Sequence, residues 1–264
     1  MTDPVIVERR EGWHKIFLNR PDKLNALNPS VLAGLTAAFD AAEADRSCRA
    51  LLLTGAGRGF CAGQELSDAI IPGPDNPNPD LGGIAESYHR GVICRLRALP
   101  LPVVCAVNGV AAGAGANIAL ACDIVLAGRG ASFVQAFVRI GLVPDCAGTF
   151  FLPRLIGDAR ARALAMLGEP VTAAQAEAWG LIWQAVEDDA LTFEAEALTA
   201  RLAALPTEAL AMMKRLFAAS ATNTLDAQLD LEASTQAAAG RTTDYAEGVR
   251  AFLAKRRPVF KGGR

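Results

Sequence analysis

Apolar and polar residues fall into blocks whose period changes along the chain. Residues 5–7 and 14–18 are short β-rich runs on either side of Arg9-Arg10-Glu11-Gly12, which predicts a hairpin. Residues 19–26 then read as a loop. Asn28, followed by Pro29 at the first helical position, opens an amphipathic helix to about residue 44, and residues 50–54 follow as a buried strand. The unit recurs: residues 102–107 predict a strand, a Gly/Ala-rich loop leads to a helix from about Gly115, and residues 124–127 predict another strand. Between the two units, residues 71–80 are too rich in Pro and Asn for regular structure and predict a mobile loop placed to act as a lid.

After Asp158 the pattern turns helical. Residues 160–167 predict a helix, and Thr172-Ala173-Ala174-Gln175 is a capping box for a second helix stopping at Gly180. Residues 181–186 are strand-like. Residues 191–255 keep a helical period, broken at Pro206 and around Gly240-Arg241, with Thr207 and Thr243 as expected caps.

With 264 residues, 52% of them hydrophobic, the chain can bury the core of one α/β domain, alone or with a helical appendage. A net charge of −2 draws the whole molecule neither to nucleic acid nor to an anionic membrane. No uncharged apolar run reaches about 18 residues and the N-terminus lacks a signal-peptide core, so a cytoplasmic location is expected. Six cysteines without a C-x-x-C pair, and only His14 and His89, give no zinc set; reduced thiols and a metal-free site are expected.

The chemistry starts from Asp145, the only acidic residue between Asp123 and Asp158, in the turn Leu142-Val143-Pro144-Asp145-Cys146-Ala147-Gly148-Thr149. A carboxylate in so apolar a stretch faces water, hydrogen-bonds its own turn, or moves protons, and Pro-Asp composition alone favours the turn. Two further segments share one design. Residues 54–66 and 108–117 each leave a strand through small residues, the second entering a helix, so that backbone N–H groups from both could hold a developing oxyanion. Neither has the spacing of a dinucleotide-binding loop.

Asn19-Arg20-Pro21 with Lys23-Leu24-Asn25-Ala26, Phe60-Cys61-Ala62-Gly63, Val107-Asn108-Gly109-Val110-Ala111-Ala112-Gly113 through Ala121-Cys122-Asp123, Gly141-Leu142-Val143-Pro144 and Gly148-Thr149 together resemble the crotonase (enoyl-CoA hydratase/isomerase) superfamily. Residues 51–63, Val143-Pro144-Asp145-Cys146, Asn223-Thr224-Leu225-Asp226 and residues 245–256 are similar to one group within it, the ring-1,2-epoxyphenylacetyl-CoA isomerases of phenylacetate breakdown. The resemblance implies an α/β spiral of ββα repeats over residues 1–200 carrying a CoA-thioester site. Residues 201–264 are then a helical region for trimer or dimer-of-trimers assembly and site closure. Coenzyme A is implied as part of the substrate, with no separate cofactor, nucleic acid or membrane partner.

By the same resemblance, the oxyanion hole falls on the backbone N–H groups of Gln64 and Ala114, where Gly is more common than Ala114. Coenzyme A contacts fall on Lys23, Leu24, Asn25, Ala26, Ala62 and Gln64, and the basic residues Lys255, Arg256 and Lys261 are expected to meet its phosphates. The two hydratase glutamate positions hold Asn117 and Phe137, neither of which is a general base, while Asp145 stands where some isomerases and dehalogenases carry their acid. That leaves a one-base isomerase acting on ring-1,2-epoxyphenylacetyl-CoA and on enoyl-CoA double bonds. Phe137, Val138, Ile140 and Leu142 are expected as an apolar wall, with Asn117, Phe137, Leu142 and His89 at the substrate. Cys61 and Cys146 read as packing residues. The alternatives are a hydratase, a non-catalytic acyl-CoA-binding partner, or a dehalogenase-like attack by Asp145.

Overall fold

The structure is a computed structural model that describes residues 3–66, 70–74 and 76–263, the side chain of Tyr88 excepted. Among the described residues, ten strands form two sheets. Strands β1 (Val5–Arg10), β2 (Trp13–Leu18), β3 (Ala50–Gly55), β5 (Val103–Val107), β7 (Ile124–Gly128) and β10 (Gln184–Val186) make the larger one, in the order β1-β2-β3-β5-β7-β10. Strands β4 (Gly59–Cys61), β6 (Val110–Ala112), β8 (Ser132–Val134) and β9 (Pro170–Thr172) make the smaller one, in that order. The β1–β2 hairpin is antiparallel and turns at Gly12, which takes the left-handed φ of 79°. The remaining pairs of the larger sheet are parallel.

Parallel strands covered on both faces should read as unbroken apolar runs, and β3 does. Leu51 and Leu53 face one core with Val31, Leu35 and Phe39 of α1 (Pro29–Ala44). Ala50 and Leu52 face a second core with Leu191, Ala195 and Leu202 of α7 (Leu191–Ala203), so residue 200 falls inside a helix packed on the sheet. Helix α1 starts as expected: Pro29 is its first residue and the Asn28 side chain accepts the Val31 N–H at 3.0 Å.

Several expectations are corrected. The smaller sheet goes unread in the sequence because its strands are only three residues long: β4 and β6 lie inside the two small-residue segments, and runs this short show no period-two pattern. The helix expected over 160–167 is the end of α5 (Gly148–Leu167), interrupted at Gly157, whose φ of 77° breaks the apolar period. Of residues 181–186, only Gln184–Val186 pair as strand. The capping box at Thr172 and Gln175 forms and opens α6 (Ala173–Trp179), which stops at Gly180.

The helical tail comprises α8 (Thr207–Ser220), α9 (Leu225–Ala239) and α10 (Thr243–Leu253). Its caps are displaced from those expected. Thr207 is the first residue of α8, and its hydroxyl accepts from Arg49 Nε at 3.0 Å; the caps are Thr224 for α9 and Thr242, not Thr243, for α10. No helix of the described residues is long and apolar enough to cross a membrane. The proposed lid falls partly on residue 75, outside the described residues; on its far side Asp80 caps α2 (Leu81–Ile84) by accepting the Gly83 N–H at 2.8 Å.

Candidate active site

Two backbone segments come together where the larger sheet hands over to the smaller. After β4 the chain runs beside residues 24–27: Ala62 N–H donates to Leu24 O at 2.9 Å, Leu27 N–H to Gly63 O at 2.7 Å and Glu65 N–H to Leu27 O at 2.8 Å. That pairing uses the Gly63 carbonyl and the Glu65 N–H on either side of Gln64 and leaves the Gln64 N–H out. Gly63 takes φ 91°, and a Cβ there would sit 2.8 Å from Ala112 O and 3.7 Å from Ala114 N, so the strand end approaches α4 (Ala114–Leu120) as closely as glycine permits. As the first residue of α4, Ala114 has an N–H with no acceptor in its own helix. The Gln64 and Ala114 amides thus belong to neighbouring stretches of backbone at one cavity, of about 320 Å³, that both residues line.

The strand end is clamped from behind. Arg20 pairs with Glu65 (Nη1 to Oε2 2.8 Å, Nη2 to Oε1 3.0 Å), Asn28 Nδ2 donates to Glu65 Oε2 at 3.2 Å, and Arg20 Nη1 also donates to Ala26 O at 2.8 Å. The Arg20 hydrogen bond holds the Glu65 carboxyl below the usual range. Sequence patterning alone gave no sign of this clamp, because its members lie far apart in the chain.

Asp145 lies in the cavity wall with its side chain 29% exposed. Its carboxylate does not cap the following helix: Ala147 is the N-cap of α5 and makes no side-chain cap bond, and Asp145 Oδ1 is buried without a protein partner. The turn is held instead through the Asp145 backbone. Gly148 N–H donates to Asp145 O at 2.9 Å, and Asn117 Nδ2 donates to the same carbonyl at 2.8 Å. Gln135 Nε2 in turn donates to Asn117 Oδ1 at 2.9 Å.

Asn117 is fully buried and does not line the cavity, which corrects its expected place at the substrate: it is a bracket for the Asp145 turn. Gly148 presses on its carboxamide so closely that any Cβ there would collide with Asn117 Nδ2. Replacing Asn117 with Ala strands the Gln135 amide and leaves the Asp145 carbonyl with the Gly148 N–H as its one remaining donor, and is expected to cost about 1–3 kcal/mol, read as a lowered midpoint in urea unfolding.

The other expected pocket residues do meet at the cavity. Phe137, Ile140 and Leu142 line it together with Leu66, Leu81 and Ile84, whereas Val138 points into a separate cleft beside α5. His89 is also there, buried rather than solvated: Nε2 is 3.0 Å from Gln64 Oε1, and Nδ1 is 3.1 Å from Asp145 Oδ2. Ligand atoms of His89, Asp145 and Cys146 lie within 4.8 Å of one another, close enough in principle for a metal ion. Burial, with the Asp145 charge beside it, pushes the Cys146 thiol far up, and burial pushes Cys61 to about 12. Both thiols stay protonated, so neither is an activated nucleophile.

The residues expected at coenzyme A are divided. Ala62 and Gln64 line the cavity. Lys23 is exposed, but Asn25 and Ala26 are buried, with Asn25 Nδ2 donating to Ala56 O at 2.9 Å and Gly59 O at 2.8 Å, so Asn25 shapes the loop rather than reaching out of it. Lys255 and Lys261 are exposed on the C-terminal segment and do not line the cavity, and Arg256 is engaged by Glu247 at 2.6 and 2.9 Å.

Two stretches of backbone with N–H groups left out of local pairing thus meet at one largely apolar cavity that has a carboxylate in its wall. Residues 8–263 match the family described as enoyl-CoA hydratase/isomerase, and the chain belongs to that family. It is 50% identical over 262 residues to the 1,2-epoxyphenylacetyl-CoA isomerase of Escherichia coli K12, covering 99% of this chain and 100% of that one. It is 45% identical over 255 residues to a probable enoyl-CoA hydratase of Rhodobacter capsulatus, covering 97% and 96%. The crystal structure of an enoyl-CoA hydratase from Polaromonas sp. JS666 superposes with a TM-score of 0.89 at 32% identity, covering 97% and 99%. The fold is therefore of the crotonase type, and the protein is an enzyme acting on coenzyme A thioesters.

Proposed function

We propose that this enzyme is an acyl-CoA isomerase that converts ring-1,2-epoxyphenylacetyl-CoA to oxepin-CoA and shifts double bonds in enoyl-CoA thioesters. The observation that carries the reading is Asp145, the one carboxylate among the described residues lining the cavity, with Oδ1 buried and unpaired. In this mechanism the Gln64 and Ala114 N–H groups hold the thioester oxygen as it becomes an enolate. Asp145 takes the proton from the carbon next to the carbonyl and returns it further along the conjugated system. The apolar wall of Phe137, Ile140 and Leu142 keeps bulk water from the enolate. The similarity to the Escherichia coli isomerase supports the ring-epoxide substrate.

Hydration needs a second carboxylate to activate water, and Asn117 and Phe137 supply none. Crotonyl-CoA is therefore expected to be hydrated at least about two orders of magnitude more slowly than a β,γ-unsaturated thioester is isomerised. Absorbance of the conjugated enoyl thioester reads both reactions, and comparable rates would make the enzyme a hydratase. Assembly as a homotrimer or a dimer of trimers is supported by exposed apolar side chains on the tail helices, among them Phe217, Leu225 and Phe252. Lys255 and Lys261 would then be candidates for phosphates bound at a neighbouring subunit. Free cysteines fit a reducing, cytoplasmic setting.

A further inference from the structure

We propose that His89 is a positioning residue for Asp145: it sets an exchangeable proton against Oδ2 and leaves Oδ1 to work on the substrate. This rests on the isomerase reading of Asp145 given above. His89 ends a π-helical turn, Ala85–His89, that leads into α3 (Arg90–Ala98). Such wide turns are frequent at functional sites because the extra residue re-aims a side chain. Here the ring goes inward while its neighbour Arg90 stays in solvent, facing Glu86.

The ring has two polar neighbours, Gln64 Oε1 at 3.0 Å from Nε2 and Asp145 Oδ2 at 3.1 Å from Nδ1. The second contact is out of line for a straight hydrogen bond, and Nδ1 has no other protein partner. With the Gln64 carbonyl turned to the ring, Nε2 carries a hydrogen and donates it. Nδ1 and Oδ2 would then face each other as two acceptors in an apolar pocket, which is repulsive unless a proton lies between them. With the Gln64 amide turned over, its NH₂ donates to Nε2, and Nδ1 carries the hydrogen toward Asp145. Once a small turn of the ring brings Nδ1 into line with Oδ2, both arrangements place one proton between His89 and Asp145.

The chemistry then differs from that of a lone carboxylate. As the substrate C–H bond breaks, its proton passes to Oδ1 and its electron pair to the enolate held by the two amides. The Asp145–His89 pair now holds two protons, one from the substrate and one that exchanged with solvent beforehand. Reprotonation at the second carbon draws one of them and leaves the pair with a single proton, as it began. A lone carboxylate, shielded from water by the bound substrate between the two steps, would have only the substrate's own proton to return.

The test is a single turnover of a β,γ-unsaturated CoA thioester in deuterium oxide, with product deuterium located by mass spectrometry. Wild-type enzyme is expected to deliver solvent deuterium in up to about half of turnovers, as two protons on one acid-base pair mix. His89→Gln keeps hydrogen bonds toward both neighbours but holds no readily transferable proton. Deuterium delivery is expected to fall several-fold, with kcat reduced and KM nearly unchanged. Equal deuterium content in wild type and a folded His89→Gln enzyme would overturn the proposal. So would near-complete return of the substrate's own proton by wild type, a measurement that stands even if the variant does not fold. An Asp145→Asn enzyme run alongside separates the two levels: undiminished turnover there removes the isomerase reading itself, whereas an unchanged isotope pattern in His89→Gln removes only the role of His89.

Discussion

Asp145→Asn is expected to lower kcat for isomerisation of a β,γ-unsaturated CoA thioester by about two to four orders of magnitude, the usual worth of a positioned acid-base group. Thioester binding, measured by calorimetry, should change little. The amide is nearly isosteric with the carboxyl, and the turn is held through the Asp145 carbonyl, which accepts from Asn117 and Gly148 and survives the change. A fall in kcat without loss of fold or affinity therefore reports proton transfer. If activity is retained, Asp145 is a turn residue and the cavity binds acyl-CoA for some other purpose.

Ala114→Pro addresses the other half of the mechanism, the enolate oxygen. Proline is well tolerated at the first position of a helix, where its fixed φ fits and its missing N–H removes no intrahelical bond. At Ala114 the deleted N–H is the proposed oxyanion donor itself. Losing one such donor is expected to cost about two to three orders of magnitude in kcat, or about 3–4 kcal/mol of transition-state stabilisation. The preceding Gly113, at φ 53° and ψ −125°, already lies outside the conformations that side-chain-bearing residues prefer, so the backbone entering the proline is one that glycine supplies. Circular dichroism and the unfolding midpoint control for damage to α4. A fully active proline variant would place the oxyanion elsewhere.

The parts legible in the sequence were those with a strong local cause. The β3 and β5 strands are runs of Leu and Val buried on both faces, and Asn28-Pro29 and Thr172-Gln175 carry helix-start chemistry in the residues themselves. Asp145 stood out because charge is scarce around it. The smaller sheet was not legible, since β4 and β6 owe their pairing to the backbone approach permitted by Gly55, Gly59 and Gly109 rather than to side-chain preference. The Arg20–Glu65 clamp and the Gln135–Asn117–Asp145 chain join residues from separate turns of the fold, and no local pattern encodes such meetings. His89 is expected at the substrate from the sequence, but its direction toward Asp145 depends on the π turn before it, which shifts the helical register and leaves no local pattern.

Consider what the Asn117 bracket means for the history open to this protein. Position 117 is where the family resemblance puts a hydratase glutamate, so restoring water addition looks like a single codon away. Yet a glutamate there cannot donate to the Asp145 carbonyl as the Asn117 amide does, and its longer side chain would press into the space where Gly148 packs against Asn117. The first step back would loosen the turn that carries Asp145, so position 117 and its packing neighbours would have to change together. On the proposed one-acid mechanism, interdependence of this kind acts as a ratchet against drifting back to two.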